Sequence, residues 1–246
     1  MTGDVAPSRL APLSALPAVR SQSQAVNRDH DDDVAREARE LVQPALLQGA
    51  REALQRIAQN GHRAYGVTST VRGEGRTSIA TALAIVEWLD HERRVVLVDL
   101  DLEKPSLHER LGLREGPGIG DLVQGHNSVE DYVQRIVGDI WLLSAGRSRD
   151  DAPRGLNRLA ESTILSQLSE WADVAVFDLP PLLESTTGAE AARLCGSPIM
   201  VVRAGVAPMP QVKEAVSKLA APPPVILNGV RSAVPTWIRR SLGDIR

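Results

Sequence analysis

Tyr65-Gly66-Val67-Thr68-Ser69-Thr70-Val71-Arg72-Gly73-Glu74-Gly75-Arg76-Thr77-Ser78 is the stretch of this 246-residue chain that says most about its architecture. Its apolar start reads as a strand, its glycines as a tight loop, and the residues from Thr77 onward as a helix. A loop of this kind closes backbone N–H groups around phosphate oxygens while the following helix points its positive end at the same anion. Such loops normally carry a lysine that reaches the β- and γ-phosphates, followed by a hydroxyl residue that ligates Mg²⁺. Thr77 supplies the hydroxyl, but Arg76 stands where the lysine is expected. Two outcomes stay open on these residues: an ATPase or kinase in which Arg76 serves, and a protein that keeps the fold without the reaction.

On either side of this stretch the pattern alternates between strand and helix. Ala64 to Ser69 is an expected strand, and Thr77 to Leu89 a helix that buries Ala80, Leu83, Ala84 and Val86. Arg94 to Val98 is a nearly continuous β-branched run ending in Asp99. A helical piece is expected around Val129 to Ile136, then a strand from Ile140 to Leu143 and a helix near Leu159 to Trp171. Strands follow at Val174 to Phe177, Ile199 to Val202 and Val225 to Leu227, with a helix near Gln211 to Leu219. Runs this apolar on both faces belong to parallel strands covered by helices on each side. The expected fold is therefore α/β, a doubly wound and mostly parallel sheet with helices on both faces. Ligands on such sheets sit at the carboxyl ends of the strands.

Upstream of this domain, expected over residues 61–246, the composition changes. Residues 1–33 are rich in Pro, Ser, Ala and Gln and close on Asp31-Asp32-Asp33, the signature of a disordered tail. Residues 34–60 read as helical, broken near Pro44. That helical segment either docks on the domain or serves as a contact in a homo-oligomer.

Apolar content of 43% and charged content of 24% are ordinary for a globular protein, and a net charge of -3 gives no argument for nucleic acid as a partner. The single cysteine, Cys195, excludes an internal disulfide framework and suits a reducing cytosol. No window approaches the roughly 18 uninterrupted apolar residues of a membrane span. The chain is accordingly expected to be cytoplasmic, with any membrane role coming through a partner. The histidines show no metal-ligand spacing.

Three carboxylates fall at expected strand ends: Asp99 and Asp101 in Val98-Asp99-Leu100-Asp101, and Asp178 in Val176-Phe177-Asp178-Leu179-Pro180-Pro181. Beside a phosphate loop, such a group can hold Mg²⁺ directly or through water. It can also orient or deprotonate an attacking nucleophile.

The order of these motifs resembles the cytoplasmic domain of bacterial tyrosine kinases of exopolysaccharide and capsule synthesis. The resemblance runs from about Arg63 to Arg231. It is carried by Gly73 to Ser78, by Val96 to Asp101 with Leu102-Glu103-Lys104-Pro105-Ser106-Leu107-His108, and by Pro117 to Gly125. Leu143-Ser144-Ala145-Gly146, Val176 to Leu183, Val201 to Gly205 and Ile226 to Val230 extend it. It implies a P-loop NTPase-like fold related to the partition and division ATPases, binding ATP with Mg²⁺. By the resemblance, Gly73, Glu74, Gly75, Arg76, Thr77 and Ser78 surround the phosphates, and Thr77, Asp99 and Asp178 hold the metal. Arg76, Asp99, Asp101 and Asp178 carry the catalysis, with Asp99 as the base. Asn228 lies near the adenine, its other reading being a turn residue before Gly229. The implied partner is a membrane-embedded chain-length or co-polymerase protein, which would place the chain at the inner face of the membrane.

Departures from the family pattern point to lost catalysis. Arginine is a longer planar fork in a loop shaped for a compact ammonium. Thr187 stands near where the family often has an acidic residue. The ending Trp237 to Arg246 holds no tyrosine, although the kinases end in a tyrosine cluster; Tyr65 and Tyr132 are the two tyrosines of the sequence. The expected function is regulation of polysaccharide polymerisation or export by a degenerate relative of the autokinase domain. The alternative is an active Mg-ATPase of the partition or division type, against which stands Val71, where those proteins usually carry an additional lysine.

Overall fold

The computed structural model describes residues 28–57, 63–124, 128–146, 151–195 and 198–229. The expected tail up to residue 27 and the C-terminal stretch from residue 230 lie outside the described residues. Seven strands form one sheet: β1 (Ala64–Ser69), β2 (Val95–Asp99), β3 (Val133–Val137), β4 (Ile140–Leu143), β5 (Val174–Asp178), β6 (Ile199–Arg203) and β7 (Val225–Asn228). Their order across the sheet is β3-β4-β2-β5-β1-β6-β7, and every pairing is parallel except that of β3 with β4. The central strands β1, β2 and β5 are buried at every position, which is why their sequences are apolar on both faces.

Alternation within each strand divides the core in two. Tyr65, Val67, Leu97, Val176 and Val201 face one layer, formed with α1 (Arg28–Glu40), α2 (Pro44–Ile57) and α3 (Arg76–His91). Val96, Val98, Phe177 and Met200 face the other. That second layer draws on α5 (Ile119–Leu122), α6 (Ala152–Glu161), α7 (Ile164–Trp171), α8 (Gly188–Leu194) and α9 (Met209–Ser217). A further short helix, α4 (Leu107–Arg110), follows β2. The doubly wound sheet inferred from the sequence is the observed one.

The break expected near Pro44 falls at residues 41–43, between α1 and α2, and Pro44 itself opens α2, where a missing N–H costs nothing. Leu47, Ala50 and Leu54 then fall on one stripe and bury against α3. Arg51 adds a fork to Asp90 of α3 at 2.6 and 2.9 Å. Helix α1 begins at Arg28, inside the stretch expected as tail.

The helical piece expected from Val129 to Ile136 is corrected. A single 3-10 turn at Val129–Asp131, capped by Ser128 Oγ accepting from Glu130 N at 3.2 Å, gives way to β3. Tyr132 therefore ends a turn rather than riding on a helix. The helix expected near Leu159 to Trp171 is two, interrupted where Ser162 Oγ donates to the Leu159 carbonyl at 2.8 Å.

Candidate nucleotide site

The chain leaves β1 at Ser69, turns through residues 70–75 and enters α3 at Arg76, so the loop lies at the carboxyl end of the central strand. Gly73 and Gly75 both sit in the left-handed region, at φ 83° and 97°. A Cβ on Gly75 would also meet Asn228 Nδ2 at 2.3 Å, so any other residue there would in addition push the Asn228 side chain off its place.

Glu74 shapes the loop from inside. Its side chain is fully buried, with Oε2 accepting from Val71 N at 3.0 Å and Oε1 from Arg203 N at 3.1 Å. Arg203 Nη1 donates to the Gly73 carbonyl at 3.2 Å, and Asn228 Nδ2 donates to the Glu74 carbonyl at 2.8 Å. The ends of β6 and β7 thus hold the loop through one buried carboxylate and two side chains. Ser78 is half-buried in the first turn of α3.

The three strand-end carboxylates come together at this loop. Asp99 and Asp178 are register partners on β2 and β5. Thr77 Oγ1 donates to Asp178 Oδ2 at 2.7 Å, and Asp178 Oδ1 is buried with no hydrogen-bond partner among the described residues. Thr70 Oγ1 is likewise buried and unpartnered. Burial raises the Asp178 carboxyl above its ordinary range, against the opposing pull of Arg76 and the Thr77 hydroxyl.

Asp99 differs. Its Oδ1 accepts from Asp101 N at 3.1 Å, and its Oδ2 from Leu107 N at 3.1 Å and Ser106 N at 3.3 Å. Burial, and then the Asp178 charge beside it, still push this carboxyl up to about 7. Asp101 is the acceptor for two arginines. Arg72 reaches its Oδ2 at 2.7 Å and its Oδ1 at 3.4 Å, and Arg76 Nη2 reaches the same Oδ2 at 3.2 Å. The other arm of Arg76 donates to the Leu179 carbonyl. Arg76 is 9% exposed and committed at both ends.

A hydroxyl and a carboxylate with a spare buried oxygen are the hard donors that Mg²⁺ prefers, so Thr77 and Asp178 fit a metal. No group of three or more His, Cys, Asp or Glu among the described residues is placed to hold an ion, so such a metal would depend on phosphate oxygens and water as well. A separate open cavity of about 530 Å³, lined by Arg94, Val129, Gln167 and Trp171 among others, takes in none of these residues.

Several residues at the site had no sequence expectation attached. Arg72 N donates to Glu184 Oε2 at 2.7 Å. Glu103 Oε1 accepts from Ser185 Oγ at 3.0 Å, Thr186 N at 2.8 Å and Thr186 Oγ1 at 2.6 Å, and Thr187 Oγ1 lies 3.5 Å away. Burial raises the Glu103 carboxyl, but these donors outweigh it and the net direction is downward. The run Ser185-Thr186-Thr187 was the available signal: three hydroxyls gathered before a helix suit a partly buried acceptor. The tyrosines lie elsewhere, Tyr65 2% and Tyr132 9% exposed. Burial, with Glu87 beside it, lifts the Tyr65 hydroxyl above its ordinary range.

No family model matches the chain. It is 27% identical over 202 residues to the tyrosine-protein kinase wzc of Salmonella typhi, a match covering 80% of this chain and 26% of that protein. The chain spans about a quarter of the length of the first curated relatives it matches. The kinase domain of the Escherichia coli tyrosine kinase ETK superposes with a TM-score of 0.68 at 20% identity, covering 77% of this chain and 78% of that one. The septum site-determining protein MinD of Pyrococcus horikoshii, solved with Mg-ADP, superposes with a TM-score of 0.53 at 21% identity over 75% and 78% of the two chains. The homologues of this chain are bacterial tyrosine-protein kinases of the wzc and etk type, and its fold is that of their kinase domains.

Proposed function

We propose that this chain works in exopolysaccharide or capsule biosynthesis as a nucleotide-responsive regulator related to the tyrosine autokinase domain. In this reading it acts from the cytoplasmic face, with a membrane chain-length co-polymerase as its partner. No helix among the described residues is long and apolar enough to cross a membrane, in keeping with recruitment by another protein. Gly73 to Ser78 would enclose the phosphates of ATP and Thr77 and Asp178 would hold Mg²⁺, while Asn228 and Glu74 keep the loop in shape. Asp99 accepts a proton from the nucleophile, and Asp101 orients the cations around it. Mg²⁺, when bound, neutralises charge on the phosphates.

The observation that carries this reading is the state of Arg76. Its guanidinium is bound to the Leu179 carbonyl and to Asp101 rather than left free to follow a transferring phosphoryl group. Phosphoryl transfer relies on positioning and on a cationic clamp, so a clamp turned back onto the protein favours binding over turnover. The bound state is then the signal passed to the partner.

The test is ATP binding and hydrolysis, with and without Mg²⁺, in the natural chain and in Arg76→Lys. The natural chain should bind ATP and hydrolyse it very slowly, and Arg76→Lys should gain both affinity and turnover. Turnover by the natural chain at about 1–100 s⁻¹, the ordinary kinase range, would defeat the proposal.

A further inference from the structure

Two guanidiniums converge on one oxygen at this site, and they are not equally free to leave it. Arg76 is 9% exposed; withdrawing it would strip the Leu179 carbonyl, in a wholly buried residue, of its side-chain donor. Arg72 lies at the apex of the loop, 28% exposed, and its guanidinium is held by Asp101. If Arg72 departs, Asp101 keeps Arg76 on Oδ2 at 3.2 Å and the Lys104 N–H on Oδ1 at 3.2 Å. No buried charge is orphaned by that movement, whereas removing Arg76 leaves a buried acceptor short of a partner. Its own N–H, donating to Glu184 Oε2 at 2.7 Å, anchors the Arg72 backbone while the side chain moves.

The site also holds signs of a missing ligand that are independent of the arginines. Asp178 Oδ1 and Thr70 Oγ1 are both buried beside the loop without a partner among the described residues. Buried polar atoms are rarely left so, and two at one loop point to a polar group that completes the site.

We propose that Arg72, not Arg76, is the phosphate-binding cation of this chain: it swings off Asp101 to pair with the outer phosphate of a polyphosphate chain, while Arg76 stays in place as a brace. This rests on the nucleotide reading above and assigns the role of the absent lysine to a different position. A guanidinium fork matches two phosphate oxygens at once, so the exchange of carboxylate for phosphate keeps its paired hydrogen bonds. The recognised chemistry is a linear di- or triphosphate, with or without a nucleoside attached.

The experiment compares the natural chain, Arg72→Gln, Arg72→Lys and Arg76→Gln. Calorimetric titration with ATP and with inorganic tripolyphosphate, both without Mg²⁺, is paired with thermal unfolding of each free protein. Arg72→Gln should weaken both ligands by about tenfold or more, the worth of a charge-assisted hydrogen bond, with its melting temperature little changed. Arg72→Lys should recover part of the affinity. Arg76→Gln should melt earlier yet lose less tripolyphosphate affinity than Arg72→Gln. If the natural chain binds and Arg72→Gln binds equally well, the assignment to Arg72 is wrong while the nucleotide reading survives. The assignment also fails if Arg76→Gln loses more affinity than Arg72→Gln at unchanged stability. A natural chain that binds neither ligand would overturn the nucleotide reading and this assignment together.

Discussion

Raising the pH from 6 to 8 should weaken the folded chain, because Asp99 holds a proton in the fold that it has already released when unfolded. Burial beneath the loop and the neighbouring Asp178 lift this carboxyl from 3.8 to about 7. The sign follows directly. A raised carboxyl contributes stability that is complete below the unfolded value, near 3.8, and that is lost as pH climbs through about 7. At pH 6, one unit below the folded value, on the order of 1 kcal/mol of that contribution remains, and at pH 8 almost none does. A domain of this size should melt about 2–4 °C lower at pH 8 than at pH 6 from this source. The assay is thermal unfolding by circular dichroism, free of nucleotide and Mg²⁺, on the natural chain and Asp99→Asn. The amide cannot titrate, so the difference in melting temperature between the two proteins should change with pH. Asp178→Asn should also flatten the slope, since Asp178 is itself shifted upward and its charge helps lift Asp99. Melting curves of the natural chain and Asp99→Asn that run parallel from pH 6 to 8 would refute the reasoning.

Two further substitutions test the scaffold. Glu74→Ala removes an acceptor from Val71 N and Arg203 N, each bond to a charged group being worth about 1.5–3 kcal/mol; urea unfolding should show a loss of about 3–6 kcal/mol, and a loss under about 1 kcal/mol would mean that the loop is shaped by something else. Leu54→Ala cuts a side chain buried between α2 and α3 and should cost about 2–5 kcal/mol by the same method; no measurable cost would mean that α2 is not packed as part of the domain.

The sheet was legible because its central strands are apolar on both faces and each is followed by a change of period. β3 was not. Val129, Tyr132, Val133 and Ile136 fall at helical spacing, and what overrides that spacing is pairing with β4, including the bulge between Arg135 and Val137. At the site, the loop, Thr77 and the three aspartates could be found from local pattern, since each chemistry announces itself within a few residues. The roles of Glu74 and Arg72 could not. Glu74 is expected only as one of the residues around the phosphates until Arg203, 129 residues away, donates to it, and Arg72 reads as an ordinary loop cation until Asp101 and Glu184 meet it. Asn228 is a comparable case: its contact with the Glu74 carbonyl joins positions 154 residues apart.

Tyr65 lies in the sheet beneath α2 and α3, and Tyr132 is packed at the start of β3. A phosphoryl acceptor must bring its hydroxyl in line with a donor held in someone else's cleft, several ångströms beyond its own surface. The Tyr65 phenol cannot do so without parting a helix from the sheet, and Tyr132, 9% exposed, shows little of itself to a partner. A phosphate mark on Tyr65 would therefore have to wait for the domain to open, so a reagent raised against phosphotyrosine would report an unfastened sheet rather than an intact one.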